Sequence, residues 1–319
     1  MVPVRIPLAF PPPHAKPFDA VGLGLNSLDL VAVVDGHPPP NSKQPLRRFV
    51  KSPGGQIATA LVVIARHGWR ARYIGRFGDD EFGSVCREAL RRAGVDLTPA
   101  RVVSGASNQF AIVLVDASTG ERTVLWDRDR RLAMTPDEVP VEAVTSGRLL
   151  LVDCHETAAA ARAARLAREA GIPTLVDVEQ VRPGIEELLR HIDAIIAAEA
   201  FPAALTGHTD PARAVEVIGR RFGAAVVTVT LGGAGSLTWC GGRVFETPAF
   251  KVACRDSTGA GDVFRGAFAA ACLRHPEGDL EDAVRYANAA AALKCRNLGA
   301  QLGIPSPADV DRLVRAGTT

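Results

Sequence analysis

Residues 256–266 read Asp-Ser-Thr-Gly-Ala-Gly-Asp-Val-Phe-Arg-Gly. Two carboxylates bracket a turn of small residues, and an apolar run follows through Val263, Phe264, Ala267, Phe268 and Leu273. A Gly-Ala-Gly turn has no bulky side chain to block an approaching group. It can aim consecutive N–H groups outward, and a helix behind it adds the positive end of its dipole. Such a place binds anions, phosphate best of all. Asp262 stands at its mouth. A carboxylate there does nothing for anion binding, but it can take a proton from a hydroxyl that attacks phosphorus. A lone Asp-Gly pair is more simply a helix cap. The full run ahead of an apolar helix outweighs that reading.

Two other stretches carry glycine where a ligand needs close approach. Ser52-Pro53-Gly54-Gly55-Gln56 precedes a helical run to 66, and its amides can come near a small polar ligand. An ordinary helix-entry turn explains the pair equally well. Thr230-Leu231-Gly232-Gly233-Ala234-Gly235-Ser236 ends an apolar strand. It either passes beneath a nucleotide or simply opens a hairpin, and the two are compatible. Asn26 and Asp29 follow the first apolar run, 20–25. Gly22 and Gly24 lack the third glycine of a dinucleotide fingerprint, and no helix opens after them.

The elements that must position these residues alternate along the chain. From 148 onward, apolar strands at 149–153, 174–177, 194–197 and 225–230 are separated by helices at 156–170, 184–191 and 211–222. That pattern means an α/β fold, a mainly parallel sheet covered on both faces. Ligands then belong at the carboxyl ends of its strands. Strand clusters at about 30–51 and 106–127, the second a hairpin around Gly120, interrupt the alternation and imply a small sheet standing off the main layer. Helices at 280–296 and 307–316 close the chain.

The totals fit one large domain. The 319 residues carry a net charge of +2, with 47% apolar and 23% charged residues, which points to no nucleic acid and no membrane surface. No run is long and apolar enough to span a bilayer. Six scattered cysteines form no C-x-x-C pair and no metal-ligand spacing with the seven histidines, so they read as reduced thiols of a cytoplasmic protein. Residues 1–17 hold six prolines and no signal-peptide core, and are expected to be a disordered extension, with the domain at 18–319.

The run from Asp256 to Asp262 resembles the C-terminal signature of the ribokinase-like (PfkB) carbohydrate kinases. Gly54-Gly55, Gly68 and the Gly75-x-Phe-Gly78-Asp79-Asp80-x-Phe-Gly83 run resemble that family's N-terminal signature, so the likeness covers both ends of the chain. It implies a three-layer α/β/α domain with a β lid that closes over a sugar and often forms a homodimer contact. It implies ATP and Mg²⁺, transfer of the γ-phosphate to a sugar hydroxyl, Asp262 as the base, and the amides of Gly259, Ala260 and Gly261 as the anion hole. Asp29, Gly54, Gly55 and Gln56 would fix the sugar, with Asn26, Thr59 and Gln109 as weaker candidates. Thr230, Gly232, Gly235 and Asn288 would contact ATP, unless Asn288 is only a solvated helix residue. Family members often bind a monovalent cation, K⁺, between carbonyls near 298–301 and the first Asp of the motif, so Asp256 and Thr258 would be ion or turn ligands.

The chain departs from the family in places. The N-x-x-E pair that organises Mg²⁺ through water falls on Ala198 and Phe201 here, and only Glu199 is acidic nearby. That loss, with Ala291-Ala292-Leu293-Lys294-Cys295 and Gly303-Ile304-Pro305, is nearer to the ketohexokinase and sulfofructose kinase branch. Thr59 stands where ribokinase has Asn. His155 stands where a sulfosugar kinase would offer an arginine, so no sulfonate clamp is expected. Arg265, one turn beyond Asp262, either touches a phosphate or an anionic substrate group, or lies solvated on the helix. The expectation is a kinase for a small ketose or pentose. The rivals are a nucleoside kinase of the same fold and a catalytically silent sugar-binding protein.

Overall fold

The computed structural model describes residues 3–317. The strands in chain order are β1 (Ala20–Leu23), β2 (Ser27–Val34), β3 (Arg48–Gly54), β4 (Ala71–Ile74), β5 (Arg76–Gly78), β6 (Arg101–Val103) and β7 (Phe110–Asp116). There follow β8 (Arg122–Asp127), β9 (Leu150–Asp153), β10 (Thr174–Val178), β11 (Ala194–Ala198), β12 (Val226–Thr230), β13 (Ser236–Cys240) and β14 (Arg243–Thr247). Eight of them form the central sheet in the order β14-β13-β12-β11-β10-β9-β1-β4. Six of these, β1, β4 and β9 to β12, run parallel, while β13 and β14 form an antiparallel edge.

The parallel strands are apolar on both faces because both faces are covered. In β10, Leu175 joins one core layer and Val176 the other; in β11, Ile196 and Ile195 divide the same way. The first layer packs α1 (Gln56–Arg66) and α2 (Glu81–Arg92) against the sheet. The short α3 (Val141–Val144), with α4 (Thr157–Glu169), α5 (Ile185–Leu189), α6 (Phe201–Thr206) and α7 (Pro211–Phe222), belongs to the second layer. The last three helices, α8 (Ala260–Arg274), α9 (Leu280–Cys295) and α10 (Pro307–Ala316), return to the first. This is the expected three-layer domain.

Helix α8 is buried on nearly all sides, which its small residues permit. A Cβ at Gly266 would lie 2.6 Å from the Ala60 carbonyl, so α1 and α8 meet backbone to backbone. The helix behind the glycine pair and the helix behind the anion turn are thereby locked together.

The small sheet expected to act as a lid has four strands, β3-β2-β7-β8. It uses Ser27–Gly54 and Phe110–Asp127, close to the expected stretches. The proline-rich start is a correction. Residues 4–8 are not disordered: the Ile6 N–H donates to Gly278 O (3.0 Å), the Leu280 N–H to Val4 O (2.7 Å), and Ile6 and Leu8 are buried in the core. Prolines remove donors but keep carbonyls, and arginines use them: Arg148 Nε donates to Pro11 O and Arg70 Nη2 to Pro13 O. Met1 and Val2, also part of that expected extension, lie outside the described residues.

Candidate active site

The anion turn is held by Asp256, which is fully buried. Its Oδ1 accepts the Thr258 N–H at 2.8 Å and its Oδ2 accepts the Gly299 N–H at 2.7 Å. Gly259 follows at φ 76°, in the left-handed region, and α8 begins at Ala260 with no side-chain cap. The first-turn N–H groups of Gly261 and Asp262 therefore have no helical acceptor. Ala260 differs from expectation: its N–H closes the turn on the Ser257 carbonyl at 3.2 Å.

Asp262 keeps 15% of its side-chain surface exposed. Arg265 is neither solvated nor free for a phosphate. It is buried, its Nη1 donates to Asp262 Oδ1 at 3.3 Å, and its Nη2 pairs with the carboxylate of Asp177. A Cβ on Gly261 would come within 2.7 Å of Arg265 Nη1, so a larger residue there would displace the guanidinium. Burial raises the Asp262 carboxyl above its ordinary range, Arg265 draws it back, and Glu179 pushes it up again. Asp177, fully buried at the end of β10, is raised well above the usual range by desolvation against the pull of Arg265.

The expected sugar-side residues gather at the junction of lid and domain. Asp29 is buried, and burial, followed by the Asp262 charge, pushes it up to about 7. Gly54 must lack a side chain because a Cβ there would lie 2.3 Å from Asp29 Oδ2. Gly55, at φ 89°, lies against the backbone of Asn26. Asn26 donates to Tyr73 Oη and Arg76 O, leaving its buried Oδ1 unpartnered, and Gln56 Oε1 is likewise buried without a partner. Both oxygens are thus left open to a hydrogen-bond donor. Gln109 Oε1 accepts from Arg128 at 3.4 Å. Thr59 departs from a direct sugar contact: it is fully buried, with its hydroxyl 3.5 Å from Gln301 Nε2.

In the turn after β12, Gly232 and Gly233 are exposed, and a Cβ added at either would meet nothing within 4 Å. Gly235 is a structural residue instead. It is buried at φ 102°, and a Cβ would meet the Thr247 carbonyl at 2.1 Å. Thr230 Oγ1 donates to Ala197 O at 3.4 Å. Asn288 is buried rather than solvated, and its amide nitrogen is engaged. Its Nδ2 donates to Ser236 Oγ (3.1 Å) and Thr247 O (3.0 Å), so it supports the turn from beneath.

Glu199 is exposed just beyond β11. Glu179, beyond β10, lies nearer the chemistry: its charge acts on Asp262, and His155, 3.6 Å away, holds its own carboxyl low. No part in the site was expected for Asp177, Glu179 or Lys294, nor for Arg122 of β8, whose Nη1 donates to Ser257 Oγ at 2.6 Å. The first two carried a signal, since they sit at the carboxyl end of a parallel strand.

The profile of the pfkB family carbohydrate kinases matches residues 19–307. Fructokinase-1 of Zea mays is 30% identical over 83% of this chain and 89% of its own length. An ATP-dependent ribose-1-phosphate kinase of Halopiger xanaduensis is 31% identical over 86% of this chain and 90% of its own. The structure of Arabidopsis thaliana ribokinase complexed with ribose and ATP superposes with a TM-score of 0.80 at 26% identity, covering 93% of this chain and 99% of that one.

Proposed function

Because the chain belongs to the pfkB family of carbohydrate kinases, we propose that its site transfers the γ-phosphate of ATP to a hydroxyl of a small ketose or pentose. An ATP-dependent sugar kinase is what the fructokinase and ribokinase relatives indicate. The observation that carries the residue assignment is the placement of Asp262 at the uncapped start of α8. Asp262 takes the proton of the attacking hydroxyl. The N–H groups of Gly261 and Asp262, with that of Gly259, receive charge on the transferring phosphoryl oxygens. Asp29, Asn26 and Gln56 orient the sugar, and Gly232 and Gly233 let the nucleotide lie against bare backbone.

Mg²⁺ supplies neutralising charge on the phosphates when bound. The described residues contain no group of three His, Cys, Asp or Glu able to ligate an ion, which supports an ion that arrives on ATP, with Glu179 and Glu199 reaching it through water. The lid supports a homodimer. Phe49, Leu30, Ile112 and Leu125 share one face across its four strands, and Phe49 and Leu125 are 52% and 57% exposed. Six free cysteines support a reducing, cytoplasmic setting, and no described helix is long and apolar enough to cross a membrane.

The test is a panel of ketoses, pentoses, their monophosphates and nucleosides, read by ADP release with Mg·ATP. Turnover with a ketose or pentose is expected. A nucleoside as best substrate would replace the substrate class, and ADP release that never exceeds the acceptor-free background would favour a silent sugar-binding protein.

A further inference from the structure

Lys294 sits on α9 with no solvent exposure. Lysine is almost never fully buried unless it is paired. Its Nζ donates to the carbonyl of Asp256 at 2.8 Å and stands 3.8 Å from Oδ2 of the same residue. Among the described residues it is the one cationic side chain within ion-pair distance of that carboxylate. Taking a carboxylate out of water without a counter-charge is strongly unfavourable, so this pair stands or falls together.

Asp256 ties the site together. Its two oxygens fix the turn at Thr258 and the neighbouring segment at Gly299, and α8 begins just beyond that turn, at Ala260. The charge on Lys294 also reaches Asp262 and Asp29, drawing both carboxyls down. The resemblance implies a monovalent cation at this place, and the residues do not fit one. The Asp256 carbonyl already faces an ammonium group, and both carboxylate oxygens accept N–H groups. The Thr258 hydroxyl is buried without a partner, but one neutral hydroxyl does not make an ion site.

We propose that the Lys294 ammonium is a built-in monovalent cation, which supplies the Asp256 turn with the charge that K⁺ would bring, so that catalysis by this chain does not depend on K⁺. The inference rests on the sugar-kinase reading. Lys294 is a positioning residue in it, acting through Asp256 on the amides that start α8.

The test compares sugar-dependent ADP release in choline chloride and in KCl at equal ionic strength, for wild type and Lys294→Ala. Wild type is expected to change by less than about twofold, while the variant loses about a hundredfold in choline and regains most of it in KCl. A second readout needs no sugar: KCl should raise the melting temperature of the folded variant over that in choline chloride and leave wild type unmoved. Several-fold stimulation of wild type by K⁺ would overturn the proposal, and that arm needs no variant to fold. A folded variant that is unimpaired, or impaired without K⁺ rescue in either readout, would overturn it too. If no acceptor yields ADP, the kinase reading fails, and the melting curves still judge Lys294.

Discussion

At the start of α8 the fixed points are buried charges: Asp256 against Lys294, and Arg265 against both Asp262 and Asp177. At 231–235 there are none. Gly232, Gly233 and Ala234 are exposed, and the neutral Asn288 beneath them bonds Ser236 and the Thr247 carbonyl. On the proposed function, the difference follows from what each end would meet. Charge develops on the transferring phosphoryl group, and groups already fixed in a low-dielectric site stabilise it without reorganising. A nucleotide base needs a shaped surface that backbone alone can offer. Substitutions at the first end should therefore act on turnover, and substitutions at the second on ATP affinity.

The largest expected effect sharpens that contrast. Asp262→Asn should lower kcat by about a thousandfold or more while ATP affinity, followed by titration, stays near wild type. Equal turnover would remove Asp262 from its role. Next comes Asp29→Asn, for which kcat/KM for the sugar should fall by about a hundredfold. This substitution also carries a stability signature. Asp29 ionises near 7 in the folded protein and near 3.8 when exposed, so the folded state holds an extra proton between those values. Its contribution to stability is thus greatest at low pH and is lost as pH rises from about 4 to 7. Across that window wild type should lose thermal stability relative to Asp29→Asn as pH rises.

Arg265→Met should cost about tenfold in kcat/KM, and the acid limb of the pH–rate profile should move to higher pH, because the charge that draws the Asp262 carboxyl down is gone. An unmoved limb would show that Arg265 only packs. The smallest effect is expected at the nucleotide end. Asn288→Ala should raise KM for ATP by about threefold to tenfold with little change in kcat, since it loosens a turn and removes no charge. A kcat effect there as large as that of Arg265→Met would break the comparison.

Much of this was legible in the sequence because local rules agreed with the global fold. The alternating strands and helices from 148 onward implied the layers. Small residues at Gly54, Gly55 and 259–261 marked the two helix entries, and Asp262 stood out as a carboxylate where an anion should bind. What escaped lay in long-range contact. Nothing local pairs Arg265 with Asp177, since one sits on α8 and the other ends β10. Lys294 looks like an ordinary helix lysine until α9 is packed behind the turn. Asn288 and Thr59 invite assignment as ligand contacts because each is polar and near a motif, yet Ser236, Thr247 and Gln301 claim them. Composition misreads the proline-rich start, because it does not register Ile6 and Leu8 finding a place in the core.

One event is central, the passage of the γ-phosphate to a sugar hydroxyl. The measurement closest to it follows ATP, ADP, inorganic phosphate and any sugar phosphate ester together by phosphorus NMR, with the best sugar of the panel and Mg²⁺. One sugar phosphate ester should appear for each ADP, and none in Asp262→Asn over the same interval. ADP accumulating with inorganic phosphate and no ester would contradict it.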